Sequence, residues 1–374
     1  MLRSFVFPLC LLVCTLIAAR GEEQTAFTVP KFTASQTCQS ASCHGGGVGK
    51  DQSVTWEKKD VHSRSFATLS TNRSVRIAEA LKIDDQTKSA RCTVCHSPLS
   101  AVTPDKFVKG AVPDKAVSCE SCHGAAEPWL RFHTRTDVTH EQRVSAGLRE
   151  LEELYGRANT CVACHLNIDA ALVSVGHHPE MFFELDGQMN AEPPHYKDKG
   201  TWIGPRAWLT GQAVALREIS WKLSKNRDDD LVPRWKALTW LLRKTEFSTP
   251  ALADTAEFSA IQFAADRVAR NASKSTWSKE KTAKQLRDYV TLSAAFREID
   301  IAPVEQQRRG EVILLAIDRL WVALKKEGAA KSDNFDASLK VLGELSRGQA
   351  QFDSIKFAAA LEQLEVALEL MGKP

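Results

Sequence analysis

The sequence predicts a mainly α-helical protein with little regular sheet, in two textures. Residues 22–204 are rich in cysteine, histidine and turn-forming residues, and residues 205–374 are helical throughout. Three observations carry this. All ten histidines lie at or before His195, although 179 residues follow it. Every cysteine lies at or before Cys164. After about residue 205, apolar residues recur at steps of three and four, the period of one helix face.

The first element is residues 1–21. Arg3 precedes an apolar run from Ser4 to Ala19, and small residues stand at Ala18, Ala19 and Gly21. A basic start, a short apolar stretch and a small-residue end describe a signal peptide, and hence export to a periplasm-like compartment. The run is shorter than the about 20 residues needed to cross a bilayer, and no other run approaches that length. No integral span is expected after cleavage.

Cleavage would remove Cys10 and Cys14 and leave eight cysteines. Cys92-Thr93-Val94-Cys95-His96, Cys119-Glu120-Ser121-Cys122-His123 and Cys161-Val162-Ala163-Cys164-His165 all read C-x-x-C-H. This is the attachment signature of c-type haem: the two thiols form thioethers, and the adjacent histidine supplies the proximal ligand. Cys38-Gln39-Ser40-Ala41-Ser42-Cys43-His44 has four residues between its cysteines and reads as a looser fourth motif. A zinc site does not require histidine after every second cysteine. Four motifs consume all eight cysteines, so the expected cofactor is four covalent haems c, numbered here in chain order. The proximal ligands would be His44, His96, His123 and His165.

Six histidines remain for four distal positions: His62, His133, His140, His177, His178 and His195. Only Met181, Met189 and Met371 would survive cleavage, so bis-histidine ligation is expected for most of the haems. With about 45 residues per haem in 22–204, the macrocycles themselves would form the core of a multihaem cytochrome c domain.

These residues resemble the tetrahaem cytochrome c554 and c-prime family over roughly residues 36–200. The resemblance rests on the first motif followed by Val54-Thr55-Trp56-Glu57 and Val61-His62-Ser63-Arg64-Ser65-Phe66. It rests further on Cys92–His96, on Ser118–Gly124 followed by His133, and on Cys161–Asn167 with His195-Tyr196-Lys197 downstream. It implies that His133 is distal to haem 1, His62 to haem 4 and His195 to haem 3. In the best-known family member haem 2 is five-coordinate. This chain departs from that pattern by offering Gly176-His177-His178-Pro179. His178 is the first candidate for haem 2, with His177 and then His140 behind it.

In residues 205–374, stripes run through Leu209, Ala213, Leu216, Ile219 and Leu223, through Trp235, Leu238 and Leu242, and through Phe258, Ile261, Ala265 and Val268. Others run through Ile313, Ile317, Leu320 and Leu324, and through Phe357, Leu361, Leu364 and Leu368. They predict six or seven core-facing helices, with starts at Ser248-Thr249-Pro250, Ala302-Pro303 and Asp353-Ser354. Trp208, Trp221, Trp235 and Trp240 are expected in the core, and Asp228-Asp229-Asp230 in a solvated loop.

The chain has 49 basic against 46 acidic residues, and loss of Arg3 and Arg20 would leave 47 against 46. Haem propionates would add negative charge. Nothing here suggests nucleic-acid binding. The leading expectation is a periplasmic electron carrier serving redox partner proteins. One alternative is a multihaem oxidoreductase acting on a small nitrogen compound at an open haem 2. Another is a docking subunit that joins a larger respiratory complex through its helical region.

Overall fold

A computed structural model describes residues 29–371 apart from 167, 197–199, 254–255 and 348–351. The signal-peptide expectation for 1–21, including Cys10 and Cys14, therefore lies outside the described residues. The fold is mainly α, 63% helical, with no strand among the described residues. The one extended pairing among them is an isolated parallel bridge between Phe32 and Phe107.

The cysteine-rich region is built from short pieces. Its helices are α1 (Gln52–Lys59), α2 (Asn72–Ala80), α3 (Ala90–His96), α4 (Cys119–His123), α5 (His140–Ser145), α6 (Leu154–His165), α7 (Ala170–Ser174) and α8 (Leu185–Ala191). Local caps start several of them. Thr71 Oγ1 accepts from Ser74 N at α2, and Ser121 Oγ accepts from Ser118 N at 3.1 Å at α4. Thr139 and Gln142 form a capping box at α5, and Glu184 accepts from Asp186 N and Gly187 N at α8. Before residue 154, buried apolar side chains such as Leu69, Leu99, Phe107 and Trp129 are scattered and stand outside the main core.

The helices of the second region are longer: α9 (Ile203–Lys225), α10 (Val232–Leu242), α11 (Phe258–Lys274), α12 (Lys279–Val290), α13 (Pro303–Lys326), α14 (Asp333–Arg347) and α15 (Ser354–Met371). Seven α-helices are thus described where six or seven are expected. Pro303 and Ser354 begin α13 and α15 as predicted. Ser248-Thr249-Pro250 instead opens only a 3₁₀ turn over Pro250–Leu252, and the next α-helix starts at Phe258.

Helix α9 is buried on nearly every side and packs against α6, α8, α10, α11 and α13. Trp208 stands edge-on to Tyr289 at 6.0 Å, and Trp235 edge-on to Phe258 at 5.0 Å. Trp240 is buried too, but Trp221 is 45% exposed, contrary to expectation. The physical reason is angular: Trp221 lies two residues from Ile219 and Leu223, about 200° round the helix from each. Asp228–Asp230 lie in the loop between α9 and α10, with Asp229 and Asp230 exposed and Asp228 half-buried.

The apolar core runs across residue 204 without a break. Leu154, Ala158 and Val162 of α6, with Phe183 and Leu185, share one core with α9 and α11. At Gly211 of α9 an added Cβ would come within 2.8 Å of Leu185 Cβ, so the glycine lets α8 and α9 approach closely. A polar cluster seals the same seam. Tyr155 Oη donates to Asp266 Oδ1 at 2.6 Å, and Arg217 reaches Asp266 at 2.9 Å and Asn159 Oδ1 at 2.5 Å.

Candidate haem-binding sites

Motifs two, three and four each form the last turn of a helix: α3, α4 and α6. Cysteines three apart on a helix share a face, and the next residue ends the turn. The first motif solves the same problem without a helix. His44 N donates to Cys38 O at 3.1 Å, which closes the longer spacer into a loop. A Cβ at Gly45 would fall 1.9 Å from Gln39 O, so that loop needs glycine there.

The ring nitrogens matter next. Two imidazoles bound end-on to one metal, at about 2.0–2.1 Å per nitrogen, have ring centres about 6.3 Å apart. Three histidine pairs have this spacing. His44 and His133 are 6.2 Å apart and nearly parallel. His62 and His165 are 6.1 Å apart. His96 and His178 are 6.4 Å apart. His123 and His195 are also neighbours: burial is the main cause that pushes His123 down to about 4, and the charge of His195 is the next. A depressed pKa keeps that imidazole neutral, as a metal ligand must be.

In each of the three spaced pairs, Nδ1 of both rings is engaged, which leaves Nε2 for a metal. His44 Nδ1 meets Gln52 Oε1 at 3.1 Å. His62 Nδ1 meets Asp60 Oδ1 at 2.9 Å, and Asp60 is only 3% exposed. His96 Nδ1 meets Thr68 Oγ1 at 2.9 Å and Ser65 O at 3.0 Å. His133 Nδ1 meets Leu130 O, and His178 Nδ1 meets Pro179 O at 2.9 Å. His165 Nδ1 lies 3.2 Å from the Gln188 amide. The oxygen of that amide is otherwise buried without a partner, so turning the amide over would let Nδ1–H donate to it. These residues fit haem ligation on both faces.

The two remaining candidates stand apart. His140 has Nε2 on Glu150 at 2.8 Å and Nδ1 on Glu152 at 3.4 Å, so both its nitrogens are engaged. His177 is exposed with a left-handed backbone, φ 54°, and forms the turn before His178. Among the described residues no group of three or more His, Cys, Asp or Glu could hold a bare metal ion.

The thiols also meet across motifs. Cys38 and Cys119 interact directly, so that Cys119 falls to about 7 while Cys38 is raised. Cys95 and Cys164 do the same, with Cys95 falling to about 7 and Cys164 raised. Burial pushes Cys122 up to about 12, with the charge of Cys161 second. The attachment sites therefore adjoin in the order one, three, four, two. Cys43 of the first motif is exposed, and Val94 of the second is 53% exposed.

Sequence reasoning missed the supports of these sites. Glu120, between two cysteines, is 1% exposed. Its carboxylate accepts from Thr33 N at 2.9 and 3.1 Å, from Ala34 N at 2.7 Å and from Ala126 N at 2.7 Å. It thereby ties residues 33–34 and the loop at 126 to motif three. Asp60 could have been found, because it caps the 3₁₀ turn that carries His62. Gln188 gives no local signal. It reaches His165 from α8, and Arg319 of α13 holds the Glu184 cap of α8 at 2.9 Å.

Among curated proteins and among solved structures, none matches this chain. No described helix is long and apolar enough to cross a membrane. Residues 22–124 match the family model described as cytochrome c554 and c-prime, and this segment holds the first three motifs together with His62. Over that segment the protein is a c-type cytochrome, with covalently bound haem and electron transfer to redox partners as its role.

Proposed function

We propose that the protein is a periplasmic tetrahaem electron carrier with bis-histidine ligation at every iron. The pairs are His44 with His133, His96 with His178, His123 with His195, and His165 with His62. The thioethers come from Cys38 and Cys43, Cys92 and Cys95, Cys119 and Cys122, and Cys161 and Cys164. Three ring pairs at 6.1–6.4 Å, each with both Nδ1 atoms engaged, are the observation that carries this reading.

Bound haem iron supplies one-electron exchange. In the three spaced pairs the chain holds each imidazole by its Nδ1, and a carboxylate or carbonyl there makes Nε2 a better donor. Adjoining attachment sites in the order one, three, four, two support passage of electrons from one end to the other. Exposure of Cys43 at one end and Val94 at the other supports exchange there with partner proteins. The alternative, catalysis on a small nitrogen compound at an open haem 2, is less well supported because His178 faces His96.

The test is spectroscopic. The purified ferric protein should carry four haems, all low-spin, and should bind no carbon monoxide after reduction. A high-spin component that takes carbon monoxide would refute full bis-histidine ligation and favour a catalyst.

A further inference from the structure

Building on the carrier reading, we propose that the exposed face of α2 is the docking surface for an acidic redox protein that exchanges electrons at haem 2. Helix α2 covers both ligand segments of that site. At its start, Ser74 Oγ donates to Thr68 O at 2.8 Å, and Thr68 Oγ1 lies 2.9 Å from His96 Nδ1. On its buried face, Ile77 and Leu81 press on Gly176, two residues before His178. A Cβ there would come within 3.0 and 2.9 Å of them.

The other face of α2 is net basic. Arg73 and Arg76 are exposed on it together with one carboxylate, Glu79, and the exposed Arg64 and Lys82 lie before and after the helix. None of these four basic residues has an ion-pair partner among the described residues. Residues 61–91 hold six basic residues, these four with Lys88 and Arg91, against three acidic ones. The whole chain has 49 against 46, so this segment accounts for the entire formal excess. The segment around haem 1, residues 37–60, has three of each sign. The two exposed ends thus differ in charge. Val94, between the haem 2 cysteines, is half-exposed and offers an apolar contact at that site.

A net basic face over one exchange site selects an acidic partner and speeds its arrival by long-range attraction, which salt screens. The experiment uses the haem-loaded protein with reduced flavodoxin as the acidic protein probe and hexaammineruthenium(II) as a cationic one. Two readouts are taken: the second-order reduction rate, and the Kd for labelled flavodoxin by fluorescence anisotropy. Flavodoxin rate and affinity should each fall about tenfold between about 10 and 200 mM ionic strength. R73E/R76E should lower both about tenfold at low salt, and Arg64→Glu, on a separate element, should lower both in the same direction. K58E/K59E, on α1 beside haem 1, should change neither by more than about twofold, and the ruthenium rate should not drop in any variant.

A flavodoxin rate insensitive to salt, or equally lowered by both charge-reversal pairs, would overturn the proposal. So would binding to anionic lipid vesicles without salt-sensitive flavodoxin binding, which would assign the patch to a membrane surface. Failure of both probes to reduce any haem would instead remove the carrier reading itself.

Discussion

Replacing Glu120 should unfasten the start of the haem region. Its carboxylate is buried and accepts three backbone N–H groups, with Thr33 N and Ala126 N on Oε1 and Ala34 N on Oε2. In Glu120→Gln one oxygen becomes an amide NH2. Whichever side it takes, it meets a backbone N–H and leaves that donor unpaired. An unsatisfied buried donor costs about 1–3 kcal/mol, so the isosteric change should cost about that much. Glu120→Ala empties the site for all three donors and should cost about 3–5 kcal/mol, the usual range for breaking a buried charged cluster. The assay is guanidinium unfolding followed by circular dichroism, paired with native-state hydrogen exchange. The amides of Thr33, Ala34 and Ala126 should lose protection together, about tenfold for each 1.4 kcal/mol. Glu120→Gln within about 0.5 kcal/mol of wild type, with all three amides still protected, would refute the reasoning.

Three further outcomes follow from the sites. His178→Ala should turn one haem high-spin and open it to carbon monoxide, while His140→Ala, whose ring is held by Glu150 and Glu152, should leave the haem spectrum unchanged. Asp60→Asn removes the buried carboxylate from His62 Nδ1. It should raise the potential of one haem, on the order of 60 mV for a tenfold change in ferric over ferrous preference, as read by redox titration. Burial raises the pKa of Asp186 despite nearby Arg319, so the folded state holds this proton more tightly than the unfolded chain. Its cost is absent below the unfolded pKa of about 4, grows as pH rises from there to the folded value, and is constant above it. Asp186→Asn should therefore gain stability relative to wild type between pH 4 and 8, and a gap that does not widen over that range would contradict it.

The four cysteine–histidine motifs stand out in the sequence because their spacing is local, and in three of them the two thiols and the histidine share the end of one helix. The helices after residue 205 were legible because one periodic stripe implies one buried face. The same stripes also set Trp221 apart from the core, since it stands off them. The proposed distal histidines are different. His133 and His44 are separated by 89 positions, and no local pattern links them. Resemblance to a family suggested the partner, and only the folded chain brings the rings to 6.2 Å. Glu120 and Gln188 were illegible for a related reason. Their roles depend on which distant backbone or ring arrives beside them. The seam between the two textures at about residue 205 marks a change in composition, whereas packing is continuous from α6 through α9.

The thiol contacts between motifs bear on how such a chain is made. In the finished fold Cys38 adjoins Cys119, and Cys95 adjoins Cys164, and each lowered partner is a ready thiolate near neutral pH. A chain that folded in an oxidising compartment before its haems were attached would bring the wrong sulfurs together. Cross-motif disulfides would then compete with thioether formation. With haem on all four motifs, attachment to an open chain would avoid this competition, because a sulfur already held in a thioether cannot pair with another.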